Sequence, residues 1–571
     1  MVKKLPKVPV VVVGMGWAGS IISAELTKAG IEVVGLERGK ERKMSDYLMV
    51  HDELRFQHRE ELMQDLSKET ITSRNNRKMR ALPMRHYGTF IVGEGVGGAG
   101  SHWNGQTYRF LPYDFEIKSL TEKRYGTGKI KSEIPLQNWG ITYDELEPYY
   151  DTFEKMAGIS GETVDLYGPR SNPYPTGPML KTPVLEQFEK ATKKLGYNPY
   201  IMPSANLSEN YENPDGISRM ACQYCAYCEN FGCEYGAKAD PVVTVIPVAQ
   251  ETGKLDLRTH ANVTRILYDG NKASGVIYVD AFTGEEFEQP AEVVVVTSYV
   301  FNNVRLLLNS NIGTPYDPDT GKGVIGKNYC YQVSSGYSTL FYEDREWNLY
   351  AGAGALGIEI PEYTGDNFDH TDLNFLHGAG IRSTQYGNRP IANNNAPIGT
   401  PSWGPEFKKQ SIKYANSILQ VKSQGASLPH RENYLDLDPT YKDAYGMPLL
   451  RMTYDYTEQD RELVKYISKV TRAIAEEMGP DHIDTVGEQA PFNVNVDTNT
   501  HNTGGVIIGE DPQTSAVNNY MQMWDAENIF VIGASAFPHN SCFNPTGTIG
   551  ALSYRASEGI ETYLKEGGML V

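Results

Sequence analysis

The first forty residues constrain the fold more than any other part of the chain. Val8 to Val13 form a largely β-branched run, and Gly14-Met15-Gly16-Trp17-Ala18-Gly19 follows it directly. Glycines at 14, 16 and 19 have the spacing of a strand-to-helix turn whose bare backbone N–H groups approach a pyrophosphate. A second strand, expected over Ile31 to Leu36, delivers Glu37, 18 residues past Gly19. That is close to the ~20 residues at which an acid reaches a ribose hydroxyl. A glycine-rich turn alone is common. Strand, glycines, apolar helix and acid together predict a β-α-β unit that binds a dinucleotide, and with it a doubly wound, Rossmann-like α/β domain.

A chain of 571 residues exceeds one ordinary hydrophobic core, so two or more domains are expected. The net charge of −18 argues against partners that are themselves polyanions, nucleic acid and anionic membrane surfaces among them. No run approaches the ~18 apolar residues that a membrane-spanning helix requires. Lys3 and Lys4 precede an apolar stretch in the manner of a signal peptide, but that stretch runs straight into the glycine cradle. Cleavage there would destroy the nucleotide unit, so no cleavable signal is expected. The chain then stays in the cytoplasm, or reaches the periplasm with an exported partner.

The rest of the sequence interleaves two kinds of segment. A polar, helical-looking stretch, His51 to Arg80, leads to the glycine-dense Gly93 to Gly105. Residues 138–240 are rich in Tyr, Pro and Asn. Strand-like runs return at Leu255–Arg258, Val263–Leu267, Gly275–Val279 and Glu292–Thr297, the last apolar on both faces as a buried central strand would be. Residues 331–490 alternate strands with Asn/Gly loops and close with an amphipathic helix predicted from Thr457 to Met478. One more strand, Asn528–Gly533, and a helix after Pro545 follow. These shifts place 1–110, 240–330 and 491–571 in the nucleotide domain. Residues 111–239 and 331–490 form a substrate domain on a mixed or antiparallel sheet.

Two sets of residues carry chemistry. A neutral imidazole accepts a hydroxyl proton near neutral pH, and by residue type alone His501 and His539 are equal candidates. The cysteines are denser: Cys222, Cys225, Cys228 and Cys233 lie within twelve residues, while Cys330 and Cys542 stand apart. An iron–sulfur cluster, a structural zinc and disulfides are the three physical readings. The Cys-x2-Cys-x2-Cys opening is of the ferredoxin type, whereas zinc sites more often use two separated Cys-x2-Cys pairs.

Several motifs, taken in order, resemble the glucose-methanol-choline (GMC) oxidoreductases. They are the amino-terminal cradle, Ser298–Leu308, Gly323-Val-Ile-Gly326-Lys-Asn328, and the pattern of Glu432, Asn433, Asp438, Asp443, Gly446 and Pro448. His501-Asn-Thr-Gly504-Gly505, Gly533-Ala-Ser535-Ala-Phe-Pro538 and Asn544-Pro545-Thr-Gly-Thr548 complete them. Within that family the likeness is nearest to pyranose 2-oxidases and to the flavoprotein subunits of gluconate, fructose, glucose and glucoside dehydrogenases. The resemblance implies FAD, contacted by Gly14, Gly16, Gly19, Glu37, Gly97, Gly98, His102, Trp103, Asn104, Val263, Gly533, Ala534, Asn544 and Thr546. It favours His501 over His539 as the base, with Asn544 holding the substrate hydroxyl. His102 either bonds covalently to the flavin, as in pyranose 2-oxidases, or packs beside it.

The resemblance also bears on the cysteines, because Cys233-Glu-Tyr-Gly236-Ala237 is similar to a segment that follows a cysteine cluster in some of the dehydrogenases. Four close cysteines rather than three at wider spacing leave [3Fe–4S] and [4Fe–4S] both open. The leading expectation is a dehydrogenase that oxidises a secondary alcohol of a sugar or sugar derivative to a ketone. Its electrons would pass through the cluster to an external acceptor, with a small accessory subunit and a cytochrome or other redox protein as partners. A pyranose-type oxidase making hydrogen peroxide is the alternative. A flavin-binding protein without turnover is a third reading, against which the joint presence of His501 and Asn544 counts.

Overall fold

The computed structural model describes residues 2–47, 62–86, 90, 92–387, 395–495 and 500–570. Among them the largest sheet has nine strands, and its centre is parallel. Ala526–Val531, Glu286–Val296, Val8–Val13, Val33–Leu36 and Leu255–Arg258 lie side by side in that order. Val10 to Val12 and Val293 to Val296 are fully buried, the outcome expected of a strand apolar on both faces. The Glu286–Val296 strand serves two ladders. Its first half pairs antiparallel with Ala273–Asp280, which in turn pairs with Ala261–Tyr268, and its second half joins the parallel centre. The Trp17–Lys28 helix packs against the Thr546–Glu566 helix, so the two ends of the chain share one layer.

A second, antiparallel sheet of six strands stands over this unit. Its order is His482–Val486, Tyr337–Phe341, Ile418–Gly425, Ala379–Thr384, Gly357–Ile360 and Tyr200–Ile201. The predicted amphipathic helix is observed as Glu458–Glu477, with Thr457 as its N-cap in a reciprocal capping box with Asp460. Its Leu463, Ile467 and Ile474 pack into one core with Leu340, Val421 and Ile381 of the sheet. Burial of that face, rather than helix propensity, fixes the helix where it is.

The helical reading of His51 to Arg80 is overturned where it is tested. Residues 51–61 lie outside the described residues, and Ile71–Arg74 is a strand paired in parallel with Pro448–Thr453. Polar composition by itself does not choose between helix and strand. The ladder offered by a strand more than 370 residues away decides instead, and Thr72 Oγ1 donates to the buried Asp438 carboxylate at 2.8 Å. Among the described residues no helix is long and apolar enough to cross a membrane.

Candidate active site

The carboxyl ends of four parallel strands converge on one cavity of about 560 Å³. Val13, Leu36, Thr297 and Ile532, each at or just beyond a strand end, line it together with the residues that follow them. Ligands of open α/β sheets bind at this edge. The opposite wall comes from the six-stranded sheet, through Arg382, Thr384, Gln420, Lys422 and Gln424.

Of the sequence-derived residues, Gly14, Gly16, Glu37, Gly98, His102, Trp103, Asn104, Val263, His501, Gly533, Ala534, Asn544 and Thr546 all line this cavity. Gly19 and Gly97 do not line it, yet they shape it. A Cβ on Gly19 would lie 2.0 Å from the Gly14 oxygen and 2.7 Å from Thr297 Oγ1, so only glycine lets the helix approach the strands. Gly97 donates its N–H to the Met15 oxygen at 2.7 Å, which draws the second glycine segment onto the first. Glu37 does more than await a ribose. Its carboxylate accepts from the amides of Met15 (3.0 Å), Gly39 (3.0 Å) and Gly95 (3.2 Å), tying both glycine segments together.

Deeper in the cavity, His501 and Asn544 meet. Asn544 Nδ2 donates to His501 Nε2 at 3.1 Å. His501 Nδ1 is hydrogen-bonded to Gln332 Oε1, and Gln332 Nε2 is committed to the Ser541 oxygen at 2.9 Å. Gln332 therefore presents its oxygen to the ring, Nδ1 carries the proton, and Nε2 is left as the basic nitrogen. Asn544 is oriented in turn by Gln424, whose Nε2 donates to Asn544 Oδ1 at 3.1 Å and to the Cys542 oxygen at 3.0 Å. Gln424 Oε1 accepts from Arg382. Burial, reinforced by the positive charge of Arg382, pushes the His501 pKa down to about 3, so the imidazole is neutral across the physiological range.

His539 is placed elsewhere. It is fully buried, lies off the cavity wall, and sets Nε2 3.1 Å from Asp114 Oδ1. Asp114 also binds His377 at 2.8 Å and Ser541 at 3.0 Å. That network anchors the loop that carries Asn544. Gln332, Gln424 and Arg382 went unread in the sequence, since none belongs to a motif. The one available signal was a lone charged residue, Arg382, in the strand-like run Ala379–Thr384.

The cysteine loop abuts the same cavity. Its Glu229 and Asn230 line the wall, and Asn230 N–H donates to the His102 oxygen at 2.7 Å. Cys228 and Cys233 are buried, Cys222 and Cys225 half-buried, and none is in a disulfide. Burial pushes the Cys222 and Cys228 thiols up, Cys228 to about 11; the positive charge of Lys238 opposes the rise at Cys228, and neighbouring thiols add to it at both. The loop thus gathers the four sulfurs in one neighbourhood. It does not close them on a common centre: among the described residues no group of three or more potential ligands is arranged to hold a metal ion.

A family model described as GMC oxidoreductase matches residues 429–553. A gluconate 2-dehydrogenase flavoprotein of Pantoea cypripedii is 40% identical, covering 100% of this chain and 96% of that protein. The chain belongs to the GMC oxidoreductase family. A fructose dehydrogenase large subunit of Gluconobacter japonicus is 26% identical over 98% of both chains. Among solved structures, pyridoxine 4-oxidase from Mesorbium loti superposes with a TM-score of 0.64 at 16% identity, over 97% of this chain and 99% of that one. An Aspergillus oryzae RIB40 formate oxidase examined for FAD modification gives 0.63 at 13% identity, over 99% of both. The expected class, an FAD-dependent oxidoreductase of CH–OH groups on a Rossmann-like fold, therefore stands.

The cavity fits FAD. Gly14 has φ +96°, and a Cβ there would meet Ser298 Cα and the Thr297 oxygen at 2.9 Å, so this GMC cradle admits no side chain at the point where backbone must face a pyrophosphate. Gly19→Ala is expected to push the helix off the strands at a cost of about 1–3 kcal/mol. The variant should purify with clearly less FAD, read from the ratio of flavin to protein absorbance. Wild-type flavin content would show that the close packing does not govern the cradle.

Proposed function

We propose that this protein is a dehydrogenase that oxidises a secondary alcohol of a sugar or sugar derivative to a ketone, with electrons leaving through an iron–sulfur cluster on Cys222, Cys225, Cys228 and Cys233 to an external acceptor. The observation that carries the reaction is the His501–Asn544 pair, held at 3.1 Å on the wall of the cradle cavity with both rotamers set by glutamines. A carbinol hydroxyl set between them accepts a hydrogen bond from Asn544 Nδ2 and gives its proton to His501 Nε2. Gln332 fixes the tautomer that makes this possible and stabilises the imidazolium that forms. FAD, when bound, supplies the two-electron acceptor for the hydride of the same carbon.

Gly14, Gly16 and Gly98 would cradle its phosphates, Glu37 would meet the ribose, and His102 would be the point of covalent attachment. We read the parallel sheet and its wing as the FAD domain and the six-stranded sheet as the substrate domain.

The electron route rests on the cysteine loop. Four thiols match the donor set of an iron–sulfur centre, and the loop leans on the His102–Trp103 segment of the cavity. A cluster there would supply one-electron transfer toward the surface. Partners follow from that role: a small accessory subunit and a cytochrome or comparable redox protein. Low-temperature EPR of anaerobically purified protein, as isolated and after dithionite, tests the reading. An iron–sulfur signal in either state is expected. Silence in both, with no iron by elemental analysis, would sink the relay and leave a pyranose-type oxidase that passes electrons to O2.

A further inference from the structure

A row of polar side chains crosses the six-stranded sheet. In register over three strands, Tyr200 faces Glu359 and Glu359 faces Arg382. Glu359 is fully buried, and donors surround its carboxylate: the hydroxyls of Tyr200 at 2.6 Å, Tyr167 at 3.0 Å and Tyr108 at 3.3 Å, and the Arg382 guanidinium at 3.4 Å. A glycine makes room for it, since a Cβ on Gly380 would lie 2.6 Å from Glu359 Oε2. Of these residues only Arg382 lines the cavity. The carboxylate therefore does not face a substrate, yet a chain of hydrogen bonds leads from it to the proton-accepting nitrogen.

Each link of that chain has one allowed polarity. A guanidinium donates and cannot accept, so Gln424 turns its oxygen toward Arg382 and its NH2 toward the Cys542 oxygen at 3.0 Å and Asn544 Oδ1 at 3.1 Å. Asn544 is then left to direct Nδ2 at His501 Nε2. The reverse orientation would set NH2 against NH2 at Gln424 and oxygen against the bare Nε2 of His501. The same tyrosines hold the backbone here. Tyr108 stacks on Phe543, the residue before Asn544, with ring centres 4.7 Å apart, and Tyr167 meets Phe543 edge-on at 5.1 Å.

We propose that Glu359 and Arg382 are positioning residues: the carboxylate pins the guanidinium, and the guanidinium fixes, through Gln424, which end of the Asn544 amide meets the reacting hydroxyl. The reading rests on the alcohol-oxidising role proposed above for His501 and Asn544. A hydroxyl that gives its proton to Nε2 needs a donor on its oxygen. With the amide turned, the Asn544 oxygen would compete with Nε2 for that proton.

The test is a double-mutant cycle on the limiting rate of anaerobic flavin reduction, with whichever of D-gluconate, D-fructose and D-glucose wild-type enzyme uses best. Glu359→Gln should lower that rate about ten-fold, the range for a buried partner left unsatisfied, whereas Glu359→Asp, which keeps the charge, should retain most of it. In an Asn544→Ala background there is no amide to orient, and Glu359→Gln should cost about two-fold or less. Gln424 supplies a variant that leaves the buried carboxylate untouched. Gln424→Glu has nearly the same shape and still pairs with Arg382, but it offers Asn544 no donor, so the amide turns. The limiting rate should fall about a hundred-fold while the half-saturating substrate concentration, the flavin content and the melting temperature stay close to wild type. Gln424→Met, which removes the polarity without reversing it, should be the milder of the two. A merely structural role would make the isosteric variant the milder one. Equal cost of Glu359→Gln with and without the Asn544 amide, or a Gln424→Glu variant faster than Gln424→Met, would overturn the relay while leaving alcohol oxidation intact. Wild-type enzyme whose flavin none of the three compounds reduces would remove the functional reading itself, and the relay with it.

Discussion

His501→Ala is expected to lower kcat about a thousand-fold, within the range that a positioned general base contributes, while FAD stays bound and the protein melts as wild type. The separation follows from the geometry. His501 meets Gln332 and Asn544 through its ring nitrogens, and the glycine segments that form the cradle do not depend on that ring. The pH profile gives the same base a second signature. The reaction needs the imidazole neutral, and burial followed by the Arg382 charge holds its pKa at about 3. Protonation therefore begins only as pH falls toward that value. The kcat/KM profile of wild-type enzyme should show no loss through the region of about pH 6–7, where an unperturbed histidine titrates. An acid limb there that survives in His501→Ala would move the base to another group. His539 is a poor choice for it, because its Nε2 faces Asp114 in the core rather than the cavity.

The legible parts of this protein are those whose physics is local. A run of valines before three spaced glycines makes a strand, a turn and a helix wherever it occurs, and the central strand declares itself by being apolar on both faces. The same holds for the cavity residues that sit at strand ends, since the strand, its glycine and the residue beyond it are contiguous. What stayed hidden is what depends on distant pairing. Ile71–Arg74 is a strand only because Pro448–Thr453 lies beside it. Gln332 and Gln424 look like any other glutamines until the fold carries one to each side of the His501–Asn544 pair. Arg382 and Lys422 are separated by forty residues and become neighbours through sheet register alone. The cysteines occupy a middle position: their spacing was plain, and their attachment to the flavin segment was not.

That attachment is made by Lys238, and Lys238→Met should be the most destabilising single substitution near the site. The side chain is fully buried. Its three N–H groups donate to the oxygens of Trp103 at 2.7 Å, Cys228 at 2.8 Å and Phe231 at 2.7 Å, and the Ser101 oxygen, at 3.3 Å, shares one of them. Two of these belong to the segment that carries His102 and two to the cysteine loop, so one ammonium joins them. Burial lowers its pKa, against which Cys228, Cys233 and Asp240 act. Methionine fills similar volume but donates nothing, and four carbonyls that converge on one point would lose their partner without access to water. Buried carbonyls left without a donor cost about 1–3 kcal/mol each before relaxation. The expected result is a melting temperature lower by several degrees, together with reduced FAD content and, if the proposed cluster is present, reduced iron, because both segments lose their common anchor. Loss of stability with full retention of FAD, and of any iron, would mean that the lysine supports the core without coupling the two segments. Wild-type melting with both groups retained would show that the four carbonyls find other donors, and the bridge would have to be abandoned.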